Sequence, residues 1–235
     1  MRTGFVMLLV MISAAVSAQQ NVNVDKNDQS ALTFFDVVGG APIMRAKFTR
    51  LVEGSPYFND EWSKGRVLIE NNTSEFKNVF VRLNLLEVTL EFRDPHGEQL
   101  TCSSPVRRVK LVDAARATEA VFVHSTFLPA EKEFKKAEWL QELSVGKMNL
   151  YKWHKKRLIE SRPYNSATYE QRISTVFQYY VMVNDQFVKI KRAADIIGLA
   201  GDKKNQLEEY IKTKNLDGKD ETAMTEVVAY YNSFQ

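Results

Sequence analysis

Asp60 and Glu61 stand beside Trp62 in the segment Gly54-Ser55-Pro56-Tyr57-Phe58-Asn59-Asp60-Glu61-Trp62. Acids next to large aromatics can bind a sugar by stacking its ring and bonding its hydroxyls, and paired carboxylates can run general acid–base hydrolysis. One local cluster does not fix the two-carboxylate spacing that glycoside hydrolysis requires. The same residues serve equally to pin a loop over a sheet through Tyr57, Phe58 and Trp62 while the acids face water, and that reading is favoured. A second aromatic, Trp153, sits in a basic run with Lys152, Lys155, Lys156 and Arg157. Such a run can follow a phosphate backbone, an anionic glycan or a lipid headgroup, or be a solvated strand face. Tyr57, Phe58, Asp60, Glu61, Trp62 and Trp153 are therefore the candidate ligand-binding residues.

No catalytic residue is assigned. Cys102, the one cysteine, lies in Thr101-Cys102-Ser103-Ser104 without a nucleophile signature, and reads as a small buried hydrophobe. His96, His124 and His154 are scattered, with no HxH, HxxxH or HExxH spacing to begin a zinc site. Asp217-Gly218-Lys219-Asp220-Glu221 lacks the alternating oxygen ligands of a calcium loop and reads as a turn. Asn72-Thr73-Ser74 fits a glycosylation pattern, relevant only in a eukaryotic host. GxxxxGK[ST], GxGxxG and GxSxG are all missing from the sequence, so neither a nucleotide cofactor nor a common hydrolase is indicated. The expectation is no metal and no cofactor.

The elements that must carry these residues are mostly strands. Thr33–Val38 is β-branched and aromatic, stops at Gly39-Gly40, and reads as a first strand. Arg66–Glu70, Phe76–Asn84 and Glu87–Phe92 form a meander, with Asn71–Glu75 as a turn. Val88, Leu90 and Phe92 alternate with polar residues, as in a strand with one buried face. Asp94-Pro95-His96-Gly97 is a turn. Strands at Val106–Val112 and Ala120–His124 follow, then a polar link from Pro129 to Lys136. Gly146–Trp153 reads as another strand, and Val176–Val183 with Gln186–Ile190 as a hairpin closed by Asn184-Asp185. The period then changes. Ile196, Leu199 and Ala200 share a helical face, as do Leu207, Tyr210 and Ile211, and Met224, Val227, Val228 and Tyr231. Gly201 can end the first of these helices and Asp202 can cap the next. The fold class expected is mainly β, an antiparallel meander, sandwich or curled sheet, with a short C-terminal α-helical tail.

At the other end, Met1-Arg2-Thr3 precedes the uncharged run Gly4–Ala18, which closes on small residues ahead of Gln19. Charged start, short apolar run and small-residue cut make a signal peptide, and the run is shorter than the ~20 residues a spanning helix needs. The expected division is 1–18 signal peptide, 19–31 disordered leader, 32–128 first β-rich region, 129–190 second β-rich region, and 191–235 helical tail. Removing residues 1–18 takes one Arg and no acid from the chain, so its formal charge falls from +3 to +2. That near balance argues against a nucleic-acid partner, and no later stretch is apolar enough to cross a membrane as a helix. Cys102 without a second cysteine leaves the fold to packing alone.

GSPYFNDEWSKGRVLI, SVGKMNLYKW and DKKNQLEEYIKTKNL…VVAYYNSF resemble a family of uncharacterised exported proteins common in Bacteroidota. The resemblance implies a β-rich body, a short helical tail and an envelope or secreted location, periplasmic or extracellular. It implies no activity. The function expected is a non-enzymatic ligand-binding or interaction protein of the bacterial envelope, with an envelope protein or glycan as partner. Two alternatives stand beside it. One is a glycan- or peptide-directed hydrolase whose carboxylates meet only in three dimensions. The other is a structural protein that oligomerises through its tail, where Tyr230 and Tyr231 could meet a partner.

Overall fold

The structure is a computed structural model and describes residues 31–44, 48–73, 75–113, 118–134 and 136–234. The segments expected as signal peptide and leader lie, apart from Ala31, outside the described residues. The protein is mainly β, as its turn spacing predicts, with its strands joined in one open mixed sheet. Its first half contains β1 (Gly40–Pro42), β2 (Thr49–Glu53), β3 (Ser63–Ile69), β4 (Phe76–Asn84), β5 (Thr89–Arg93), β6 (Gln99–Cys102), β7 (Val106–Asp113) and β8 (Thr118–His124). Next come β9 (Trp139–Ser144), β10 (Met148–Ser161), β11 (Tyr169–Val183) and β12 (Gln186–Ile190). The order across the sheet is β1-β6-β5-β4-β3-β7-β8-β9-β10-β11-β12, antiparallel throughout. β2 lies off this path and joins β11 in parallel, which makes the sheet mixed.

The segment expected as a first strand is instead a helix, α1 (Ala31–Val38). Phe34 and Val38 are four residues apart, so a helix turns both to one side, where they are 0% and 2% exposed. Phe34 meets Phe76 and Phe92 edge to face at 5.1 and 5.2 Å. Gly39, at φ +61°, ends the helix in the left-handed conformation glycine tolerates, its N–H bonded to the Phe35 carbonyl. Around α1 the strands β3 to β8 supply one core, including Val67, Val79, Leu83, Val109 and Phe122. A second core lies further along the sheet. There Met148, Leu150, Val181 and Ile190 meet the tail.

The tail comprises α2 (Lys204–Lys214), α3 (Glu221–Ser233) and a 3-10 segment, Ala193–Leu199, where a third α-helix was expected. Ile196, Leu207, Ile211, Met224, Val227 and Val228 are all buried in this second core. Gly201 ends the first segment at φ +56°, as its type suggests. Asp202 does not cap: it sits inside a further 3-10 turn, Gly201–Lys203, and α2 starts without a side-chain cap. Asp220 caps α3 instead, accepting the Ala223 N–H at 2.8 Å.

The β11–β12 hairpin closes through Asn184 and Asp185, both at positive φ. The β10–β11 hairpin is longer than the sequence suggested and projects beyond its neighbour. β9 pairs only with Leu150–Trp153, whereas β11 pairs with β10 through to Ser161. Opposite that projection β2 lies on β11, and Gly54 at its end has φ +78°; a Cβ there would collide with the Ile173 carbonyl.

Candidate functional site

The loop ahead of β3 is tied to the sheet by its own side chains. The Ser55 hydroxyl donates to Asp60 and accepts the Tyr57 N–H, closing the loop on itself. Tyr57 donates to Glu91 at 3.1 Å, and Phe58 packs edge to face on Phe122 at 4.7 Å and His154 at 5.6 Å. The Arg82 guanidinium lies 3.8 Å from the Tyr57 ring centre and 4.6 Å from that of Trp62, with Arg93 4.8 Å from Trp62. Glu91 is buried and holds Arg82 through two hydrogen bonds, at 2.6 and 3.1 Å. The alternation read in β5 would have put Glu91 in water. The loop covers it, and Arg82 neutralises it. Asp60 and Glu61 are exposed. The three loop aromatics thus act as pins, held by the protein's own cations and rings.

Trp153 is set apart from this group. It is 3% exposed, donates from Nε1 to Glu138 at 3.2 Å, and lies beneath the Lys155 ammonium at 4.5 Å. Adjacent residues of a strand face opposite ways, so Trp153 points away from the side on which His154 meets Phe58. The basic run does not form a uniformly solvated face either. Lys152 is buried, 2.6 Å from Glu221. Lys156 is half-buried; burial lowers its pKa, and the nearby Asp60 carboxylate opposes that shift. Arg157 is exposed.

Where β9 begins and β10 runs past it, a cleft of about 310 Å³ opens. Its walls are Leu85 and Leu86 from the β4–β5 turn, Glu133, Lys136 and Glu138 from the approach to β9, and Trp153, Lys155 and Lys156 from β10. The turn is locked in place. Asn84 Oδ1 accepts the Leu86 and Glu87 N–H groups, the Pro56 carbonyl accepts that of Leu85, and Lys136 donates to the Leu86 carbonyl. The two acids are both engaged. Glu133 accepts the Tyr180 hydroxyl at 2.5 Å and Lys189 at 2.9 Å; the tyrosine bond and then the lysine hold its pKa below the ordinary value. Glu138 is pushed up by burial, against the pull of Trp153, Lys136 and Lys155. With both carboxylates so occupied, the cleft presents lysines to whatever enters it. The sequence reading missed Glu133, Lys136 and Glu138, which fall within or just after what looked like a polar link; the density of charge in Glu131–Glu138 was their only trace. A hollow of about 540 Å³ at the tip of the β10–β11 hairpin is walled by residues 162–167 alone and gathers no such chemistry.

Cys102 and His124 line one small cavity of about 150 Å³, although four strands separate theirs in the sheet order, which reflects the sheet's curl. They are not arranged as a nucleophile and its base. The Cys102 thiol donates to the Ser104 carbonyl at 3.4 Å, and burial pushes its pKa up to about 11, so it stays protonated at neutral pH. His124 Nδ1 lies 2.7 Å from Thr126 Oγ1, and burial lowers its pKa. Trp139 meets the His124 ring edge to face at 4.9 Å, and its buried Nε1 has no hydrogen-bond partner. His96 is exposed, and His154 is buried with Nε2 2.7 Å from Gln141. Among the described residues no three His, Cys, Asp or Glu side chains come together as a metal site.

No protein-family model, curated protein or solved structure matches the chain. Among the described residues no helix is long and apolar enough to cross a membrane. The β9–β10 cleft, unlike the pinned loop, gathers several charged groups around open space.

Proposed function

We propose that the chain is a non-enzymatic binding protein of the bacterial envelope that takes an anionic glycan in the cleft between the β4–β5 turn and β10. The carrying observation is the charge arrangement: Lys136, Lys155 and Lys156 border the cleft, while Glu133 is paired with Lys189 and hydrogen-bonded by Tyr180, and Glu138 is bonded to Trp153. A carboxylated or phosphorylated sugar would meet cations without an opposing free acid. The cationic start, short apolar run and small-residue cut of residues 1–18 support export, and the resemblance to exported Bacteroidota proteins supports the same compartment. Calorimetric titration with an oligogalacturonate and with a neutral glucan of equal length tests the reading. The uronate binds, more weakly as salt rises, and a Lys136→Ala/Lys155→Ala variant loses that binding. Equal binding of both sugars, or of neither, overturns it.

One observation favours a hydrolase as the second reading. Glu138 and Glu133 share the cleft, and their environments push their carboxyl pKa values in opposite directions, as in acid–base pairs. Against it, both Glu133 oxygens are already within bonding distance of Lys189. Release of reducing ends from the same sugars, lost in Glu138→Gln, would install the hydrolase in place of the binding protein. A structural role through the tail draws no support from the packing: Tyr230 stacks on Tyr210 at 3.8 Å within the tail, and the apolar helix faces are buried in the chain's own second core.

A further inference from the structure

Beyond Trp153, β10 continues to Ser161 with no strand on its β9 side among the described residues. This edge carries Lys155, Lys156, Arg157, Leu158, Ile159, Glu160 and Ser161, with Leu158 40% and Ile159 59% exposed. An open edge with exposed apolar side chains is a template for another strand, and proteins normally blunt or cover it.

The sequence of the edge selects its partner. When an edge pairs antiparallel with its own copy, the twofold axis stands normal to the sheet, because that axis reverses the strand and keeps its faces. Residues opposite one another then share a face, so the axis passes through one residue. With Lys156, Arg157 or Glu160 on the axis, a charge faces its own copy. With Ile159 there, Lys156 faces Arg162. With Leu158 on the axis, Leu158 faces Leu158, Arg157 faces Ile159, and Lys156 faces Glu160 twice. Centred anywhere from 156 to 160, only the Leu158 register avoids like charges and gains opposite ones. Glu160 is already held in the sheet by Gln171, which donates to its Oε1 at 2.7 Å.

We propose that two copies of the chain pair antiparallel through the open edges of β10, with Leu158 on the twofold axis and Lys156 of each copy opposite Glu160 of the other. The two sheets then become one continuous sheet. Lys156 also borders the cleft, so the pairing is measured without added sugar, where the dimer is read apart from what the cleft binds.

Sedimentation velocity over a range of concentrations tests this on the chain without residues 1–18. The unaltered chain dimerises. Lys156→Glu and Glu160→Lys each weaken the dimer about tenfold or more by setting like charges opposite one another twice, and the double exchange restores it. Melting curves confirm that each variant is folded. In a Cys102→Ser background, Leu158→Cys gives a covalent dimer on mild oxidation and Arg157→Cys does not, because only the axial residue meets its own copy. A chain that stays monomeric at every concentration, a double exchange as monomeric as the single changes, or equal cross-linking at 157 and 158 overturns the proposal.

Discussion

The Lys152 ammonium lies 2.6 Å from a carboxylate oxygen of Glu221, 69 residues further along the chain. Both side chains are largely out of water, at 9% and 14% exposure, and the ammonium also rests 4.2 Å from the centre of the Phe177 ring. Tyr179 donates to the same Glu221 oxygen at 3.2 Å. This contact fixes the first turn of α3 to the middle of β10, and so sets the tail's position on the sheet.

Removing one partner leaves the other charge buried. Glu221→Ala should therefore cost about 3 kcal/mol, whereas Lys152→Met/Glu221→Leu should cost much less, because it strands no charge. Urea unfolding of the two variants at one pH measures both. Equal losses would mean that packing volume, and not charge pairing, holds α3 in place.

Local chemistry was legible where it decided the structure by itself. Asn184-Asp185 demanded a tight hairpin, and Val227 and Val228 a helical face; both are found. What escaped depended on distant partners. Glu91 looked like the wet side of an alternating strand because nothing near it announces Arg82 and the Tyr57 loop. β9 was missed because Trp139, Leu140 and Gln141 are all buried, which erases the period of two. The cleft was illegible for the same reason. Glu133 is tied to Tyr180 and Lys189, 47 and 56 residues away, and Trp153 showed only its place in a basic run.

Glu138 should give the protein a measurable pH signature. Burial raises its pKa in the folded chain above the ordinary glutamate value. Between the two values the folded state holds a proton that the unfolded chain has released, so this group's contribution falls as pH rises through that window and stays low above it. Glu138→Gln removes the titration and leaves an acceptor for the Trp153 N–H. The variant should therefore gain stability relative to the unaltered chain as pH rises from ~4 towards neutrality. Thermal melts of both chains across that range show it; a constant difference would mean Glu138 titrates as it does in the unfolded chain.

The helix at the start of the described chain makes the sharpest test of where sequence pattern misled. A strand over Thr33–Val38 would turn Asp36 to the same side as Phe34 and Val38, whereas α1 buries those two and leaves Asp36 in water. Phe34 touches Phe76 and Phe92 in the centre of the first core, so Phe34→Ala opens a cavity that rigid strands on several sides cannot close. That change should cost about 3–5 kcal/mol, and Asp36→Ala should stay within about 0.5 kcal/mol of the unaltered chain. Urea unfolding measures both. A negligible loss for Phe34→Ala would mean that α1 does not dock in solution, and that the strands of the first core close around something else.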